Sequence, residues 1–161
     1  MNRILSRVGA PAPFVGGPAG WALSCARWAS AVVFISFGAG KFVNHASETS
    51  SFRGYGLPWP GVFTGAIGVL ELLGGVLLAL GLLTGPAALA LAGDMIAAII
   101  LSGILHGETV SLTLAPTLLI VMLALLLFGP GRLSLRPRLA ARRARRGAAG
   151  ASRPLRAGLH E

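Results

Sequence analysis

The chain has 161 residues, 54% of them hydrophobic and 12% charged, with a mean hydropathy of +0.75 and a formal net charge of +9. This composition excludes a water-soluble globular domain, because between Gly54 and Gly131 there is no lysine or arginine and the only formal charges are Glu71, Asp94 and Glu108. A single cysteine, Cys25, excludes an intramolecular disulfide and a cysteine-built metal centre.

Taken from the N-terminus, residues 1–20 carry Arg3, Arg7 and a Pro/Gly-rich stretch that cannot propagate a helix, and they read as a flexible arm. A first apolar span covers about residues 21–43, with Arg27 expected to snorkel to the headgroups. The segment from Asn44 to Pro58 reads as a loop. A second span runs over about 59–83, opened by Trp59 as an interfacial anchor between Pro58 and Pro60. A short turn, in which Thr84 is placed to cap and Pro86 to open the next helix, leads to a third span over about 86–105. The fourth covers about 110–128. Each span comprises roughly 18 to 25 residues, enough to cross about 30 Å of hydrocarbon.

These readings give an all-α membrane protein, a four-transmembrane-helix bundle over residues 21–135. Residues 136–161 form a low-complexity basic tail, expected to be disordered. Nine arginines lie between Arg132 and Arg156 and three more on the N-terminal flank, against Lys41 and Arg53 in or near the first loop and none in the others. The bias places both termini in the cytoplasm. The tail has no aromatic residue to stack a base, so anionic lipid rather than nucleic acid is its expected contact.

An ionisable group at mid-bilayer depth costs several kcal/mol (on the order of 3 on insertion scales) unless it is paired, so Glu71 and Asp94 are the informative residues. Lys41 is the natural partner of Glu71, directly or through a water or small ligand. His106 is expected to join them in an outer-half cluster, and Glu71, Lys41 and His106 are the candidate catalytic residues. Asp94 is expected in the inner half as a buried polar group. Phe34, Phe37 and Gly38 share a face with Lys41, and Gly75 shares one with Glu71; two rings and two gaps make these the candidate cofactor-binding residues for a flat ring. Two readings of the polar groups stand together. They tie the helices to one another, or Glu71 relays a proton or hydrogen-bonds a redox lipid such as a quinone. No metal site and no covalently bound cofactor is expected, and no two histidines lie within the spans to ligate haem.

Several segments together resemble the DoxX family of small bacterial membrane proteins. They are Arg27, Phe37-Gly38-Ala39-Gly40-Lys41-Phe42, Gly56-Leu57-Pro58, Glu71-Leu72-Leu73-Gly74-Gly75, Gly81-Leu82-Leu83-Thr84, Asp94-Met95, His106-Gly107 and Gly129-Pro130-Gly131-Arg132-Leu133-Ser134-Leu135. Where many relatives continue the last segment with an aspartate, this chain has Arg136. The resemblance implies a multi-pass protein of the bacterial plasma membrane with a link to redox physiology, either quinone-coupled or thiol-linked, and a soluble redox enzyme as partner. Membrane lipid and a second copy of the chain are the other expected contacts. The alternative is a non-catalytic scaffold that recruits a soluble protein through the arginine tail.

Overall fold

The computed structural model describes residues 17–131; the N-terminal arm up to residue 16 and the basic tail lie outside the described residues. Five helices follow one another: α1 (Gly17–Val43), α2 (His45–Gly54), α3 (Pro60–Leu80), α4 (Thr84–Ala98, continued as a π-helix over Ile99–Ile104) and α5 (Thr109–Phe128). Four stretches are long and apolar enough to cross a membrane: Gly17–Val43, Pro60–Leu80, Thr84–Ile104 and Thr109–Phe128. Below, the end of the bundle where α1 begins and α5 finishes is called the inner end, and the opposite end the outer.

Small residues set the closest helix approaches. A Cβ at Gly38 of α1 would lie 2.7 Å from the Leu72 amide nitrogen of α3, and one at Gly75 would lie 2.8 Å from Ile35 Cγ1 and 3.1 Å from the Ala31 carbonyl. The two backbones are therefore nearly in contact, and dispersion rather than water release holds the pair inside a bilayer. Gly74, on the neighbouring face of α3, receives Leu91 of α4, and Gly103 receives Leu112 of α5. Leu78, Ala88, Leu91, Met122 and Phe34 form the centre of the apolar core.

The α3–α4 hairpin closes through Gly81, whose positive φ of 65° is the left-handed conformation favoured by glycine. Its amide bonds the Leu78 carbonyl, and the Leu82 amide bonds that of Leu77, so the helix ends on its own carbonyls. Thr84 is the first residue of α4 rather than its cap; the cap position is Leu83, with φ at 46°. Consequently the third span starts two residues before Pro86.

Three further features of the fold differ from the sequence-based expectation. Helix α1 begins at Gly17 rather than 21, because Pro18 is tolerated in a first helical turn. The stretch after Asn44, read as a loop, contains α2, whose Thr49 packs over the start of α3 and meets the Thr64 hydroxyl at 3.4 Å. Arg27 does not reach for headgroups. It is fully buried and donates from Nη1 to the carbonyls of Leu78 and Ala79, placing a cation on the exposed negative end of α3.

Candidate functional site

Helix α3 carries the site because, among the described residues, its middle is where three helices bring charged groups together. Glu71 lies 11 residues after Pro60 and 9 before Leu80, close to the midpoint of its span, and is 4% exposed. The Lys41 ammonium lies 3.0 Å from its Oε2 and 3.3 Å from its Oε1, a direct ion pair. The contact needs no vertical shift of helices, because α1 stops short of the outer end. Lys41 sits beside Gly68, where an added Cβ would meet the lysine Cβ at 3.2 Å, and Gly68 is 8 residues, about 12 Å, below Pro60. The lysine is therefore two turns deep rather than near the surface, and α2 covers the space above it.

Asp94 belongs with this pair rather than with the inner half. It lies 10 residues from each end of the Thr84–Ile104 span. Gly74 of α3 packs on Leu91 of α4; these helices are antiparallel, so three residues outward from that contact sets Glu71 opposite Asp94. Asp94 lies within electrostatic reach of both Glu71 and Lys41, and its buried Oδ2 has no hydrogen-bond partner.

A cavity of about 70 Å³ adjoins the pair, and Glu71 is the one charged residue on its wall. Phe34 and Phe37 line it from α1, Met95 and Ala98 from α4, and Ser111, Leu114 and Leu118 from α5. Phe37 and Val110 on its rim are about half exposed, so it opens between α1 and α5 toward the outer end. A water requires roughly 10–15 Å³ of such space, so the cavity holds several waters or the head of a flat ring. Pro116 lies beside it in α5, and its missing amide frees the Leu112 carbonyl from the helix ladder.

Phe34 and Phe37 thus face the cavity, whereas Gly38 and Gly75 are occupied by the α1–α3 contact and leave no gap for a ligand. His106 is not brought to Glu71. It is 12 residues, about 18 Å along the helix, beyond Asp94, and it is exposed. Its Nδ1 bonds the Leu101 carbonyl at 2.6 Å, and its ring lies 4.6 Å from that of Tyr55.

The Tyr55 hydroxyl in turn donates to Glu108 Oε2 at 3.3 Å, and Ser111, a cavity residue, donates to the same oxygen at 2.9 Å. Burial pushes the Tyr55 phenol above its ordinary pKa of 10.0, with a Ser102 hydrogen bond acting against this and the Glu108 carboxylate adding to it. This outer cluster, which ties the α2–α3 connection to the α4–α5 connection, carries no signal in the sequence beyond single polar residues in loops.

The family model described as DoxX matches residues 22–107, more than half of the chain. The chain belongs to the DoxX family. No curated protein and no solved structure matches it. The DoxX match includes Arg27, Lys41, Glu71 and Asp94 and ends before α5, so the cavity combines the matched helices with a fourth that the family model leaves out. Among the described residues no group of histidine, cysteine, aspartate and glutamate is arranged to hold a metal ion.

Proposed function

We propose that this DoxX protein is a multi-pass component of a redox system in the bacterial plasma membrane, with both termini cytoplasmic, and that its cavity takes the head ring of a quinone-like lipid. The observation that carries this reading is the placement of Glu71, midway along its span, as the one charged residue on the wall of a mostly apolar, partly aromatic cavity. An ionised carboxylate accepts a hydrogen bond from the hydroxyl of a reduced ring, Lys41 balances its charge, and Phe34 and Phe37 supply apolar faces. The opening between α1 and α5 suits a ligand whose tail stays in the bilayer. Family kinship alone transfers no chemistry, so the argument rests on the site.

Native purification in mild detergent, followed by mass spectrometry of co-purifying lipids and proteins, tests this. A quinone retained by the wild type and lost from Glu71→Gln is the expected result. The scaffold reading, motivated by the nine arginines between Arg132 and Arg156, predicts instead no quinone and a soluble partner that disappears on truncation after Leu135.

A further inference from the structure

The three mid-membrane charges do not balance. Lys41 contributes one positive charge, whereas Glu71 and Asp94 contribute two negative charges if both are ionised. Helix α5 contributes no titratable residue, and the other acid in electrostatic reach of Glu71 is Glu48 of α2, which makes the imbalance worse. A net charge held at the centre of a bilayer is what burial disfavours most strongly, and neither the apolar wall of the cavity nor the neighbouring core compensates it. Glu71 has its counter-ion at 3.0 Å, whereas Asp94 Oδ2 is buried with no hydrogen-bond partner.

We propose that Asp94 and Glu71 form a single-proton binding site: one proton is held between the two carboxyls opposite Lys41, and at rest it resides on Asp94. The site then is neutral as a whole. The Gly74–Leu91 contact fixes the register that sets the two acids at one depth, so both compete for the same proton at the centre of the membrane. Glu71 faces the cavity, and a proton arriving there is presented to whatever the cavity holds. The inference does not depend on the ligand being a quinone.

Asp94 is the one aspartate of the chain, so isotopically labelled aspartate reports on it alone. In the full chain in lipid nanodiscs at neutral pH, infrared spectroscopy should show the carbonyl stretch of a protonated carboxylic acid, shifted by the aspartate label. Charge balance predicts how each variant changes it. Asp94→Asn abolishes the band; Glu71→Gln also abolishes it, because Asp94 becomes the counter-ion of Lys41. Lys41→Met doubles it, since both acids then bind a proton. Far-UV circular dichroism establishes that each variant retains its helices. Absence of the band from the wild type, or an unchanged band in Lys41→Met, would overturn the proposal. Neither result bears on quinone binding, and loss of quinone binding leaves the band in place.

Discussion

The Lys41 ammonium and the Glu71 carboxylate meet at 3.0 Å two turns below the outer end of α3, in a chain region where no other lysine or arginine shares the depth. Their pairing joins α1 to α3 through charge at the same level at which glycines join them through close packing.

Losing one member of the pair is softened by the site's proton: Asp94 takes over as counter-ion in Glu71→Gln, and both acids are protonated in Lys41→Met, so no lone charge remains in either. Each variant should still lose the direct contact at a cost of about 1–3 kcal/mol, and the double variant should cost less than the sum of the two. Unfolding by denaturing detergent in mixed micelles measures the cycle. Additive losses in the double variant would show that the pair is not coupled.

Arg27 reaches across from α1 to the Leu78 and Ala79 carbonyls in the last turn of α3, the first of which also accepts the Gly81 amide. Arg27→Ala should destabilise the bundle by about 3 kcal/mol, since it removes a charged donor from both carbonyls and empties the buried space the side chain fills. Arg27→Lys should recover part of this. The same unfolding assay separates the two, and a wild-type midpoint for Arg27→Ala would refute the capping role.

The glycines divide into two groups. At Gly38 and Gly75 an added methyl would enter the facing backbone, so Gly38→Ala and Gly75→Ala should each cost about 1–3 kcal/mol. At Gly65 and Gly93 it would meet nothing within 4 Å, and alanine there should be neutral or stabilising by up to about 1 kcal/mol. Thermal unfolding in one detergent compares all four.

Tyr55 is the chain's single tyrosine, so its ionisation can be followed by ultraviolet absorbance without ambiguity. The phenol should titrate above 10.0 in the folded protein, chiefly because it is buried. A folded pKa raised above the unfolded one contributes stability that is complete below the unfolded value and is lost as pH rises through the folded one. The outer cluster should therefore loosen only under strongly alkaline conditions. In Glu108→Gln the titration should fall back toward the ordinary value, and an unchanged midpoint there would contradict the Tyr55–Glu108 contact.

The four spans were legible in the sequence because each is a long apolar run with turn residues at its ends, and the Glu71–Lys41 partnership was legible because no other cation was available. Depth was harder to read. A third span read over 86–105 puts Asp94 in the inner half, but the span runs Thr84–Ile104, starting two residues earlier and ending one residue earlier, which centres the aspartate. That start is hard to read because the cap position is Leu83, which makes no side-chain cap hydrogen bond. Helix α2 escaped notice for a related reason: a ten-residue segment rich in serine and threonine has weak intrinsic helix preference and is held by its contact with α3. The burial of Arg27 was hidden because an arginine near a span end has two destinations, headgroup or helix terminus, and only packing selects between them. His106 was drawn into the site by its chemistry, whereas its position at the end of α4 gives it to Tyr55.

The most direct test of the account is equilibrium binding of a short-chain quinol to the purified full chain in nanodiscs, comparing the wild type with Glu71→Gln, Phe37→Ala and the control Gly65→Ala. The account predicts saturable binding to the wild type and the control, weakened by about tenfold or more in Glu71→Gln, about 1.4 kcal/mol, and measurably in Phe37→Ala. Equal affinity in Glu71→Gln and the wild type, or no saturable binding to either, would contradict it.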